Sequence, residues 1–296
     1  MTDQQAASPE FDRERYGPWA VVAGGSEGVG AAFADHLARA GVNLVLIARR
    51  PGPLAAAAAA LRGRGVRVHT VEQDLTAPDA LARIRSVTDE LDVGLLIYNA
   101  GANTYRGEFV ESDPVGVQRV IDLNVTAPLL LCRHFGRRLK LRRRGGILLV
   151  GSLAGYLGHA DIGVYAAAKA FSRIFAEGLW LELQPYGVDV LELVLGVTRT
   201  PAMRRAGVRL DLPGVAEPDQ VAAEGLASLA AGPVLVAGGN LPTALAGSGG
   251  ERAQLVRTNA LAARALLGEG SPVARDAAGE PGPASSGRSA VPPPRH

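Results

Sequence analysis

The stretch VVAGGSEGVGAAFADHLARAGVNLVLIARR, residues 21–50, decides the fold. A short apolar run enters a loop with glycines at 24, 25, 28 and 30. An alanine-rich helical pattern follows, and a second apolar run closes on Arg49 and Arg50. A strand, a glycine turn and a helix N-terminus in this order make an anion site, because backbone N–H groups and the positive helix end face one point. Glycines let the backbone turn tightly and approach a pyrophosphate closely. The spacing is Gly24-x3-Gly28-x-Gly30, not G-x-G-x-x-G, and a turn of this kind can also be purely structural.

Outward from this stretch, short apolar runs recur at 19–24, 43–48, 67–73, 93–101, 146–152, 188–195 and 233–239. They are continuously apolar, as strands buried on both faces are. The intervals between them are long enough for crossover helices, and Asp113 with Pro114 forms a helix-start signal for the longest. This alternation predicts an α/β fold, a doubly wound Rossmann-type parallel sheet of about seven strands with helices on both faces. One domain is expected over 17–268, after a polar arm at 1–16. The segment 269–296, rich in Pro, Gly, Ser and Ala, is read as a disordered tail.

The bulk properties exclude several function classes. A net charge of +2 over 296 residues and 5% aromatic content give no nucleic-acid footprint. The single cysteine, Cys132, rules out an intramolecular disulfide and a thiolate metal cluster, and is read as a small buried hydrophobe. The five histidines do not stand at metal-ligand spacing, so no metal site is expected. The opening residues are polar and no run of about 18 uninterrupted apolar residues occurs, which reads as a cytoplasmic protein without a membrane span.

The second apolar run ends at Ala48, about twenty residues after the glycine loop, where an acidic residue would bind the ribose 2′-hydroxyl of NAD. Arg49 and Arg50 follow instead. A guanidinium suits a 2′-phosphate, which favours NADP over NAD, with NAD still possible. The plainer alternative is that both arginines solvate a loop, and Glu27 in the glycine loop argues mildly against a second phosphate.

Further along, Tyr165 and Lys169 stand four apart in a helical pattern and so share a face. A neighbouring ammonium favours the phenolate form of a tyrosine, as proton transfer near neutral pH requires. Ser152 closes the fifth run, at the carboxyl edge where ligands bind in open α/β sheets, and its hydroxyl suits a carbonyl oxygen gaining charge. The motifs AGGSEGVG (23–30), YNAG (98–101), DLN (122–124), Ser152 and YAAAK (165–169) occur together in order. In this the chain resembles the short-chain dehydrogenase/reductase family over about residues 17–265.

The resemblance implies specific roles. Gly24, Ser26, Gly28, Val29 and Gly30 would form the pyrophosphate loop, Asp74 would contact adenine, and Asn99, Ala100 and Gly101 would line the cofactor. Tyr165 resembles the general acid/base, and Lys169 would assist it and hold the nicotinamide ribose. Ser152 would position the carbonyl, Asn124 would anchor a relay water, and Thr200 would contact the carboxamide. Ala23 and Leu195 depart from the family's usual threonine and proline without removing a reacting group.

The function implied is an NADP(H)-dependent oxidoreductase that interconverts a ketone or aldehyde and an alcohol. An NAD-linked alcohol dehydrogenase and a non-catalytic dinucleotide-binding regulator are the alternatives. Family analogy alone suggests an apolar carbonyl substrate, steroid-like or fatty-acyl, with 201–220 covering it. It also suggests a homodimer or homotetramer through helices near 114–139 and 164–184, where Phe171, Phe175 and Leu179 recur at helical spacing. The basic run 137–144 reads as favourable cations at a helix C-terminus, and 251–267 as an amphipathic terminal helix.

Overall fold

The computed structural model describes residues 11–103 and 105–266. The segment read as a tail, 269–296, lies outside them. Seven parallel strands form one sheet: β1 Trp19–Ala23, β2 Asn43–Ala48, β3 Val68–Glu72, β4 Val93–Tyr98, β5 Gly145–Ser152, β6 Val188–Leu195 and β7 Val234–Val236. Their spatial order is β3-β2-β1-β4-β5-β6-β7. The order reverses between β1 and β4, which pair directly, and that reversal opens a crevice beyond their carboxyl ends.

The burial pattern explains the sequence pattern. All residues of β1 and β4 are buried, because helices cover both faces of the sheet. One face packs Leu44, Leu46, Leu95, Ile97, Leu148 and Leu193 against Phe33 and Leu37. The other packs Val21, Val45, Leu96 and Ile147 against Leu131, Phe135 and Leu139. At the edge, β3 is mostly exposed: only Val68 and Val71 are buried, and, three residues apart, they point to opposite faces and join the two opposite cores.

The helices in chain order are α1 Arg13–Tyr16, α2 Gly28–Arg39, α3 Pro51–Arg62, α4 Ala80–Thr88, α5 Pro114–Ile121, α6 Ala127–Arg142 and α7 Gly163–Leu183. They continue with α8 Pro201–Arg205, α9 Pro218–Ala227, α10 Leu241–Ser248 and α11 Arg252–Leu266. Asp113 caps α5 as its position predicted, accepting from the N–H groups of Val115 and Gly116.

Four expectations need correction. The polar arm read at 1–16 already packs in its described part: α1 lies against the body, and Tyr16 is buried with its hydroxyl donating to Asp189 at 2.6 Å. The fourth strand stops at Tyr98, so Asn99, Ala100 and Gly101 form a loop at the crevice rather than strand. The last strand has only three residues, since Gly238 and Gly239 take positive φ just beyond it. Finally, the long helix is not uniform. A π-helical segment, Asp122–Thr126, joins α5 to α6 and turns Asn124 inward.

Pro114–Arg142 is long and apolar enough to cross a membrane by length and composition alone. Here Leu131, Cys132, Phe135 and Leu139 are buried against the sheet, the ordinary placement of a core helix. Burial pushes the Cys132 thiol up to about 12, so it behaves as a small hydrophobe. The basic run is structural as well. Arg138 donates to the carbonyls of Thr88, Asp89 and Leu91, Arg142 donates to that of Gly17, and Lys140 lies over the Tyr186 ring.

Candidate active site

The crevice is a cleft of about 300 Å³ at the carboxyl ends of the strands. Its floor is the glycine loop between β1 and α2. Gly24 has φ +82°, and a Cβ there would stand 2.8 Å from the Ala100 nitrogen. No side chain caps the N-terminus of α2, so its first N–H groups remain open to an anion. Asn99 braces the loop: its amide donates to the Gly24 carbonyl at 2.9 Å. These features fit a dinucleotide pyrophosphate, which needs close backbone approach and free donors.

Of the residues expected at the cofactor, Gly24, Ser26, Gly28, Val29, Arg49, Asn99, Ala100, Gly101 and Thr200 line the cleft. Thr200 also caps α8 by accepting from the Met203 N–H, and its methyl packs against Gly28. Gly30 and Asp74 do not line it. Gly30 lies beneath the loop, where a Cβ would come within 2.0 Å of the Gly24 carbonyl oxygen. Asp74 turns its carboxylate back to the N–H and hydroxyl of Thr76, so its neighbours Gln73 and Leu75 face the cleft instead.

At one end of the cleft stand three arginines and one carboxylate. Arg50 pairs with Glu27 at 2.5 Å, and Arg205 of α8 closes on the same carboxylate from the other side. The hydrogen bond from Arg205 holds the Glu27 carboxyl below the usual carboxylate range; burial opposes this, and Arg50 adds to it. Glu27 is thus neutralised by two cations, which removes its objection to a further phosphate. Arg49 is exposed and makes no ion pair or side-chain hydrogen bond among the described residues. Arg205 escaped the sequence reading because it comes from 178 residues further along.

The other end holds the residues expected to react. Ser152 ends β5 and accepts from the Ala154 N–H at 3.2 Å. Tyr165 and Lys169 lie on one face of α7, with the ammonium 5.7 Å from the tyrosine ring centre. Lys169 is buried and donates to the Val150 carbonyl at 2.8 Å. All three line the cleft.

Asn124 does not line the cleft, but the π-helical segment brings it alongside. Its amide donates to the carbonyls of Ala102 and Val120, and its Oδ1 is buried without a partner among the described residues. A Cβ on Gly101 would meet both this oxygen, at 3.0 Å, and the Lys169 Nζ, at 2.9 Å. Leu195 pairs with Ser152 in the ladder and is buried, so β6 runs unbroken to the cleft despite lacking the usual proline.

A hydroxyl, a phenol and an ammonium line one cleft with a glycine loop that fits a pyrophosphate, an arrangement suited to a nucleotide-dependent oxidoreductase of the doubly wound class. The short chain dehydrogenase family model matches residues 18–209, and the chain belongs to that family. It is 33% identical over 190 residues to a 7beta-hydroxysteroid dehydrogenase of Clostridium sardiniense, covering 64% of this chain and 72% of that one. A solved structure of a 7beta-hydroxysteroid dehydrogenase superimposes with a TM-score of 0.76 at 28% identity, covering 83% of this chain and 98% of the other. A short-chain dehydrogenase from Sphingobium yanoikuyae in complex with NADPH gives 0.67 at 36% identity, covering 74% and 86%. The protein is therefore an oxidoreductase acting on hydroxyl or carbonyl groups of a small molecule with a nicotinamide dinucleotide.

Proposed function

We propose that this enzyme reduces a bulky apolar ketone with NADPH, or oxidises the matching alcohol, using Tyr165 as general acid/base. The observation that carries the reading is the juxtaposition in one cleft of Tyr165, Lys169 and Ser152 with an arginine-rich end where Arg49 is unengaged among the described residues. When bound, the dinucleotide supplies the hydride. The chain's own groups do the rest. Ser152 donates to the carbonyl oxygen as negative charge develops, and Tyr165 gives that oxygen its proton. Lys169 supports the phenolate and binds the ribose, and the orphaned Asn124 Oδ1 accepts from a water that restores the proton.

The preference for a bulky apolar substrate follows from the steroid-acting relatives. It is supported by Met203 and Ala202 at the cleft and by the apolar, exposed Phe109 and Val110 nearby in sequence to the Gly101–Ala102 wall. The test is NADPH oxidation against a panel of 7-oxosteroids, fatty-acyl ketones and small ketones. Turnover confined to small ketones would overturn the substrate reading and leave the chemistry standing.

For the cofactor, Arg49→Ala is expected to weaken NADPH binding about 10- to 100-fold, as for a lost charged hydrogen bond, while NADH binding changes little. Equal losses for both, measured by fluorescence titration, would show that Arg49 serves structure and would return NAD to first place.

A homodimer or homotetramer is also proposed. Phe171 and Phe175 stack with ring centres 5.9 Å apart on α7, and Phe171, Ile174 and Leu181 are exposed there. Phe175 and Leu179 instead pack partly onto the core, which splits the expected stripe between two jobs. Light scattering at micromolar concentration should give a mass of at least twice 30.6 kDa; a monomer mass would refute the assembly.

A further inference from the structure

β6 carries one ionisable residue in its buried middle. Glu192 is 1% exposed, in a strand whose neighbouring side chains are Val190, Leu191, Leu193 and Val194. Both carboxyl oxygens are buried and lack a hydrogen-bond partner of good geometry among the described residues. An orphaned carboxyl is costly in such a place, so its presence calls for a reason.

Its surroundings supply one. On β5 the ladder partner of Glu192 is Leu149, and on β7 it is Val234, so neither adjacent strand offers a charge. The carboxyl occupies the space left by the missing side chain of Gly151: a Cβ there would meet its Cδ and Oε1 at 2.7 Å. Gly151 follows Val150, whose carbonyl accepts from Lys169. On α7, the Ser172 hydroxyl and the cations Lys169 and Arg173 favour the charged form of Glu192, and the carboxylate Glu177 opposes it.

We propose that Glu192 is a positioning residue of the active site, a buried carboxyl at Gly151 whose charge state is coupled to the ammonium of Lys169 from within the sheet. The inference rests on Tyr165 and Lys169 being the proton-handling pair, and it assigns that pair a hidden third titrating group. Burial pushes Glu192 up to about 7; the Ser172 hydroxyl, then Lys169 and Arg173, pull it back, and Glu177 opposes them. The net charge beside Lys169 therefore changes within the neutral range, and the electrostatics of the site change with it.

The test reads folding stability against pH and needs no substrate. The folded-state value of Glu192 lies above its ordinary 4.5, so the folded protein holds a proton there that the unfolded chain releases. Stability contributed by that proton is fully present below about 4.5 and is lost as the pH rises through about 7. The wild-type melting temperature should fall across this window by more than that of Glu192→Gln, which keeps the volume and cannot titrate.

Coupling to the active site is read in Lys169→Met. Without the ammonium, the end of the Glu192-dependent fall should move to higher pH by about half a pH unit or more. Coupling between two sites is reciprocal, so such a movement means that Glu192 acts equally on Lys169. A fall identical in wild type and Lys169→Met, or absent from both, would overturn the proposal. If either variant fails to fold, Glu192→Ala or Lys169→Gln carries the same comparison. Because no turnover is measured, this result stands apart from whichever carbonyl compound the enzyme reduces.

Discussion

Tyr165→Phe should lower reductase kcat by roughly two to four decades, the usual contribution of a positioned general acid. The substitution keeps the ring in place on α7 and removes only the oxygen. The side chain is half-buried at the cleft wall, so the loss of a hydroxyl leaves no cavity there. NADPH affinity and melting temperature should consequently stay close to wild type. Ser152→Ala should also slow turnover while sparing NADPH, since its proposed partner is the substrate oxygen. Lys169→Met should slow turnover and weaken NADPH together, since Lys169 is assigned both jobs. Near-wild-type kcat in Tyr165→Phe would sink the mechanism and move the search to another donor near the cleft.

Which parts of this site could be read from the chain follows from how locally each is specified. Tyr165 and Lys169 were legible because helical spacing alone puts residues four apart on one face. The glycine loop was legible because its chemistry lies within eight residues, and the strands because both faces of the sheet are covered and so written in continuous apolar runs. Arg205 was not legible: it meets Glu27 only after the chain has crossed the sheet and come back over the crevice. The turn that Asp74 closes with the Thr76 hydroxyl and N–H was not read from the chain, although an aspartate two residues before a threonine is a turn signal. The inward turn of Asn124 depends on the π-helical segment, which no apolar periodicity announces. Glu192 did leave a signal, an acid amid the apolar middle of VDVLELVL, but its meaning depends on the bare Gly151 next to it.

Gly30→Ala should be the most damaging single methyl in the dinucleotide site. Its Cβ would lie 2.0 Å from the Gly24 carbonyl oxygen and 2.6 Å from the Asn99 amide nitrogen. Both are needed where they are, since that amide donates to that carbonyl at 2.9 Å. The Gly24 backbone cannot simply retreat, because its N–H is tied to the Ile47 carbonyl at 2.8 Å. Overpacking a tight site costs about 1–3 kcal/mol even where side chains can yield, and here the obstacle is backbone. The upper part of that range corresponds to a melting temperature roughly 5–10 °C lower in a domain of this size. NADPH affinity should drop more than tenfold at the same time, since the displaced loop is the one that approaches the phosphates. Gly52→Ala is the control: it sits in the first turn of α3 with nothing within 4 Å of the added methyl, so both readouts should hold. A Gly30→Ala protein with wild-type melting temperature and NADPH affinity would mean that the glycine loop has room the structure denies it, and would remove the steric basis for the site.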